Sequence, residues 1–175
     1  MAEEKETSEK EQSEDDVALR QVKAVGMAIG KIPSGLYVVT VKHEEKEDAT
    51  LVSWINQVAF SPPAVSMVMA KVRPARLLLE ASGFFVVNVL GKAPNSLLKH
   101  FLKPQPGQSI FSGVKIRKGI KEINILTDAV AYLECKIVEQ VTTGDHVVYI
   151  ADIVGGRVLK GGEPHTNVRA SGYNY

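Results

Sequence analysis

Apolar and polar positions along the chain follow two different periods. Between Val17 and Ile29 the apolar residues Leu19, Val22, Val25 and Ile29 recur at helical spacing. The pattern stops at KIPSG, residues 31–35, where proline and glycine favour a turn. An amphipathic helix is predicted there. Short runs rich in β-branched and aromatic residues follow: LYVVTV at 36–41, LVSWINQVAF at 51–60, AVSMVMA at 64–70 and FFVVNVL at 84–90. Each is bounded by charged or Pro/Gly segments and reads as a strand. Pro74 suits a first helical turn and Gly83 a helix end, so 74–82 is predicted as a helix linking two strands. A second helical piece, SLLKHFL at 96–102, ends near KPQPGQ, and the stretch around Phe111 and Val114 has no assignable period. AVAYLECKIVEQV, the turn TTGD and HVVYIADIVGGRVL form the clearest hairpin. The chain has no internal repeat.

Many strands and few helices predict a mainly β fold, a β-barrel or a sandwich with a few short helices. A small closed barrel is preferred, because closure removes the exposed edges that such strands otherwise present.

Charge changes the picture at one end. The formal net charge is +1, but residues 1–16 hold eight acids and two lysines, leaving nineteen cations and twelve acids in the rest. That opening, MAEEKETSEKEQSEDD, has almost no apolar side chains to offset the entropy of ordering it, and is expected to be a disordered acidic tail. Residues 17–175 then form one domain, and 45% hydrophobic content suits a globular core. No signal-peptide pattern is found, and no apolar run approaches the roughly 20 residues that span a bilayer. The single cysteine, Cys135, lies in an apolar stretch and is expected to be a buried small hydrophobe. A cytoplasmic location follows as the expectation, with no membrane and no nucleic-acid partner.

GMAIGKI at 26–32 is not a phosphate loop: three residues separate its glycines, and Ile32 stands where a hydroxyl should hold magnesium. His43, His100, His146 and His165 are scattered without metal-ligand spacing, so no metal is expected. Lys71, Arg73 and Arg76 crowd the start of the 74–82 helix. They are either a solvated face or an anion site. Helix-start amides, the positive end of the macrodipole and guanidinium forks together would bind a phosphate monoester. In LVSWINQVAF, read as a strand, Ser53 and Gln57 share one face while Trp54 and Asn56 share the other. Polar groups therefore interrupt both faces, which fits either an edge strand or a strand crossed by a polar ligand.

FSPPAVSMVMA, FFVVNVL, AYLECKIV and GDHVVYIADIV, in that order, resemble the flavin reductase-like proteins, FMN-binding split barrels that usually form homodimers. GKIPSGLYVVTV, LLKHFLKP, ILTDAVAYLEC and RASGYNY are similar to the C-terminal flavin reductase domain of cyanobacterial flavodiiron proteins, over about residues 24–175. The iron-binding and flavodoxin-like modules of those longer proteins have no counterpart in these 175 residues.

The resemblance implies an NAD(P)H:flavin oxidoreductase that takes hydride from NADH or NADPH onto FMN, with FAD possible, and passes electrons to an acceptor. The alternative is an FMN-carrying electron-transfer module served by a redox protein partner. It also implies that Ser53, Trp54, Ile55, Asn56 and Gln57 border the flavin and its ribityl chain, and that Lys71, Arg73 and Arg76 take its phosphate. Many relatives carry a Ser/Thr pair where this chain has Pro74 and Ala75, so charge would replace those hydroxyls. Asn88 matches the asparagine of the family's strand. His146, the catalytic candidate, matches the histidine of its GDH turn, near the flavin's reactive side. A structural hydrogen bond is the alternative role for each. Tyr173 and Tyr175 would either stack over the site or lie exposed at a frayed end.

Overall fold

A computed structural model describes residues 2–92, 96–103 and 107–173, with side chains from residue 15 onward. The chain clusters into two compact units, one of residues up to Pro33 with those from Asn167, the other of Ser34–Thr166.

In the smaller unit, helix α1 runs over Ala2–Gly30. Its backbone continues through the segment expected to be a solvated tail. A helix end leaves its last carbonyls without intrahelical partners, and here they are taken up locally. Lys31 N donates to Ala28 O and Ile32 N to Ile29 O, while Arg169 N donates to Gly30 O and Gly172 N to Gly26 O at 2.6 Å. Gly26 allows the close approach of Tyr173, since a Cβ there would lie 2.7 Å from the tyrosine ring. Among the described residues no helix is long and apolar enough to cross a membrane.

The larger unit is built on strands. After the two-residue β1 (Ser34–Gly35) come β2 (Tyr37–His43), β3 (Lys46–Val52), β4 (Ile55–Phe60) and β5 (Pro63–Ala70). Helix α2 (Ala75–Ser82), β6 (Phe84–Val89) and helix α3 (Ser96–Leu102) follow. Two short strands, β7 (Ile116–Lys118) and β8 (Asn124–Leu126), precede the long hairpin of β9 (Ala131–Thr143) and β10 (His146–Val158).

Seven strands form one antiparallel sheet in the order β3-β2-β6-β9-β10-β5-β4. Its two edges, β3 and β4, are consecutive in sequence and joined only by Ser53 and Trp54. Laid flat, six strand spacings would hold the edges about 29 Å apart. The two-residue link reaches at most about 11 Å. The sheet must therefore curl until its edges meet, which makes it a barrel with a seam at Ser53-Trp54. On the β4 side of that seam the ladder to β5 begins at Trp54, whose carbonyl accepts from Val68 N at 2.9 Å.

The barrel corrects the reading of LVSWINQVAF as one strand. The run breaks at Ser53-Trp54, its first part pairing with β2 and its second with β5. Because the chain changes direction there, the alternation of faces that placed Ser53 with Gln57 does not hold.

Val39, Val41, Met67, Phe85, Val87 and Tyr149 fill the interior. Ala75 and Leu79, one turn apart on α2, bury against the same cluster. Gly83 ends the helix in the left-handed conformation at φ 68°, with its N–H on Leu79 O. Cys135 is fully buried in this core, as expected, and burial pushes its thiol up to about 12, with the neighbouring Glu134 charge adding to the shift. The stretch without a period supplies β7, β8 and Phe111. The phenylalanine packs with Leu97, Phe101, Leu90 and Leu126 in a second cluster.

Phe85→Ala should lower unfolding free energy by about 3–5 kcal/mol through the cavity it leaves. Gly83→Ala should lower it by only about 1–2 kcal/mol, because the site is spatially open and only the backbone is strained. Urea denaturation of the two variants checks the order.

Candidate functional site

The seam concentrates unusual polar chemistry. Ser53 is 6% exposed, and its hydroxyl has no hydrogen-bond partner among the described residues. Leaving such a group unmade costs about 1–3 kcal/mol, so native folds rarely keep one unless a ligand or water completes it. Next to it, the Trp54 ring lies 5.1 Å from the His146 imidazole, with the planes at 39°.

His146 opens β10 immediately after the two-residue turn Gly144-Asp145. Its Nδ1 lies 2.6 Å from Asp145 Oδ1. The bond to His146 is the main cause holding the Asp145 carboxyl below its usual range. With the carboxylate ionised, Nδ1 is the donor in that bond.

The basic segment is strapped to this turn. His146 pairs with Ala70 across the β5–β10 ladder, which puts the next residue of β5's chain, Lys71, beside the turn. Lys71 N donates to Asp145 O at 2.9 Å, and Lys71 Nζ to Gly144 O at 2.6 Å. Arg73 is exposed in the same loop. Arg76 has entered α2, where its Nη1 contacts both Glu80 oxygens at 2.7 and 2.8 Å and its Nε donates to Lys71 O at 3.2 Å. The carboxylate of Glu80 raises the Arg76 guanidinium further above its already high range. The first-turn amides of Arg76 and Leu77 donate to Arg73 O and Pro74 O. Side-chain cations, more than amides, are therefore what this helix start presents.

Structure brings Ser53, Trp54, His146 and the Lys71–Arg76 segment to one region. Ile55 begins β4 buried, while Asn56 and Gln57 follow it exposed on the same edge strand, where Gln57 Nε2 donates to Ala59 O. Asn88 lies apart from these bonds. It is fully buried, donates to Val38 O at 3.0 Å and Thr40 Oγ1 at 3.3 Å, and accepts from Leu126 N at 2.8 Å. Tyr173 rests against Gly26 of the smaller unit and is exposed, and Tyr175 is outside the described residues. A cavity of about 200 Å³ lined by Gly91, Lys92, Ser96, Asp128, Lys160 and Glu163 contains none of the residues expected from sequence.

Several participants carried no functional expectation. Glu80 was signalled by its i,i+4 spacing from Arg76. Asp145 sits in the GDH turn itself. Tyr149, whose hydroxyl donates to Glu80 Oε1 at 2.7 Å, had no sequence signal. Two further buried polar atoms, Ser34 Oγ and His165 Nδ1, have no hydrogen-bond partner among the described residues. Tyr37 pairs with Val52, so Leu36 falls across from Ser53; Leu90 then bonds Leu36 O through its N–H and His165 N through its carbonyl.

The site thus sits on a curled antiparallel barrel, where a buried serine hydroxyl at the seam adjoins a basic loop. Residues 29–173 match the flavin reductase like domain, and the chain belongs to that family. It is 39% identical over 135 residues to diflavin flavoprotein A 1 of Synechocystis sp., covering 76% of this chain and 24% of that protein. The chain thus spans about a quarter of the length of the curated relatives it matches. Among solved structures, the NADH:FAD oxidoreductase of Streptomyces globisporus superposes with a TM-score of 0.74 at 26% identity, over 89% of this chain and 90% of that one. The same protein in complex with NAD and FAD fragments superposes with a TM-score of 0.73 at 25% identity, over 90% of each chain. Family and barrel fold are therefore as the sequence resemblance implied.

Asn88→Ala should strip partners from the buried Leu126 N–H and Val38 O, at roughly 1–3 kcal/mol for each group left unpaired. Flavin affinity of the folded variant should stay at the parent value. Thermal unfolding and a flavin titration on the same sample read the two effects separately.

Proposed function

We propose that this domain is an NAD(P)H:flavin oxidoreductase that holds FMN along the Ser53-Trp54 seam. The observation that carries the reading is the buried, unpartnered Ser53 hydroxyl beside the Trp54–His146 pair, with a basic loop strapped to the same turn. These residues fit a flavin nucleotide: a hydrogen-bonding group for the ring, polar side chains for the ribityl chain and cations for the phosphate. When bound, the flavin supplies the hydride-accepting chemistry.

Each side chain then has a positional task. Ser53 gives its hydroxyl to the ring edge, and Trp54 with Ile55 keeps water from that edge. Asn56 and Gln57 line the ribityl side. Lys71, Arg73 and Arg76 hold the phosphate, and His146, its Nδ1 fixed by Asp145, stands at the reactive side. Asn88 supports the barrel wall from behind. NADH or NADPH is the hydride donor in this reading. A second copy of the chain is its partner, since Val58 and Phe60 on edge strand β4 and Val138 and Val141 on β9 are exposed apolar residues that suit an interface.

A second reading rests on length. The matched relatives are diflavin flavoproteins about four times as long as the match, so the domain would there be one carrier among several and would take electrons from a protein partner. FAD in place of FMN is the corresponding alternative for the cofactor.

Adding FMN to the purified protein should quench emission of Trp54, the single tryptophan. Anaerobic NADH or NADPH should then bleach the bound flavin in stopped flow. Arg73→Ala should weaken FMN binding about tenfold, the scale of one charge-assisted hydrogen bond. Bound flavin that stays yellow with both nicotinamides would favour the carrier. Absence of any bound-flavin spectrum would sink both readings.

A further inference from the structure

Arg76 is the one cation of the basic segment that is built into the helix, and its guanidinium is held on two sides. Nη1 faces both oxygens of Glu80, one turn along α2, and Nε donates to the backbone carbonyl of Lys71. Glu80 is held in turn. Tyr149, 0% exposed on β10, donates its hydroxyl to Glu80 Oε1 at 2.7 Å. The Arg76 and Glu80 side chains are 24% and 27% exposed, so this chain of bonds runs from the barrel core to the rim of the basic loop. Burial is the main cause that pushes the Tyr149 phenol above its usual range, followed by its bond to Glu80. The hydroxyl therefore remains a donor across the working pH range.

Charge alone gives this arrangement the wrong sign for an anion site. A carboxylate in contact with Arg76 cancels the charge that a phosphate would use. A guanidinium, however, binds phosphate through the direction of its N–H groups, and a fixed guanidinium loses less entropy on binding than a mobile one. With Nε and Nη1 committed, and the Tyr149 hydroxyl bonded to the guanidinium as well as to Glu80, the plane of the group is fixed.

We propose that Glu80 and Tyr149 are positioning residues for Arg76, locking its guanidinium toward the phosphate and so setting the preference of the site for phosphorylated over phosphate-free flavin. This rests on the phosphate reading above and deepens it. Tyr149 supplies the anchor in the core, Glu80 carries the orientation outward, and Lys71 and Arg73 supply the net positive charge that Arg76, being paired, does not.

The test titrates FMN and riboflavin into the full chain, because the two ligands differ only in the phosphate. Glu80→Ala should raise the FMN dissociation constant about five- to twentyfold and leave riboflavin within about twofold. Glu80→Gln, which keeps one oxygen for the guanidinium, should recover part of the loss. Tyr149→Phe should shift FMN in the same direction by a smaller factor. Tighter or unchanged FMN binding in Glu80→Ala would overturn the proposal, since that is what removal of a negative charge alone predicts. Equal weakening of both flavins would also overturn it, by reducing Glu80 to a stabiliser of the helix. Arg73→Ala keeps the underlying reading separate: an FMN-to-riboflavin ratio unchanged in that variant removes the phosphate site itself, whatever Glu80 does.

Discussion

Val52 and Ile55 stand on the opposite edges of a seven-stranded sheet, and only Ser53 and Trp54 join them. That short bridge forces the sheet to close, and closing it places two polar-capable side chains where a strand ladder cannot use them. Ser53 is carried inside with no hydrogen-bond partner for its hydroxyl among the described residues. Trp54 is brought against His146 from the far hairpin, a contact across 92 positions of sequence that no local preference would produce. The geometry that makes the barrel thus also makes its least satisfied corner.

A second constraint fixes what surrounds that corner. The β5–β10 ladder runs in unbroken register from His146–Ala70 to Asp152–Ala64, so the Gly144-Asp145 turn and the Lys71 loop are held side by side by sheet pairing. Lys71 spends its amide and one ammonium donor on the turn. Arg76 is bound into α2 by Glu80. Lys71 and Arg76 are therefore oriented by backbone and helix, and rotate less freely than their sequence clustering implied.

Much of this was legible in the residues. The hairpin, α2 with its Gly83 end, α3 and strands β2, β5 and β6 followed from period and turn chemistry, since in each the local preference agrees with the final packing. LVSWINQVAF misled because its apolar content runs through a corner that has neither glycine nor proline to mark it. The Phe111 stretch was illegible for the opposite reason: its strands are three residues long, too short to show alternation. For the site, the individual residues were readable as candidates, but their assembly came from family resemblance. Contacts such as Tyr149 to Glu80 depend on a sheet register that sequence spacing does not contain.

Asn88 and Ser53 show how structure separates two polar residues that look alike in sequence. Both lie in apolar runs and both are buried. Asn88 uses its amide to join three backbone segments: it donates to Val38 O, accepts from Leu126 N and meets Thr40, whose hydroxyl donates to Asn124 O. Its burial is compensated entirely within the protein, and it ties β2 and β6 to the β8 flap. Ser53 has the same desolvation cost with no internal compensation. Leaving such a group unmade costs about 1–3 kcal/mol, which an ordered water or a ligand at the seam would recover. The two buried polar residues thus differ in what completes them: Asn88 is satisfied by its own fold, and Ser53 is not satisfied by any described residue.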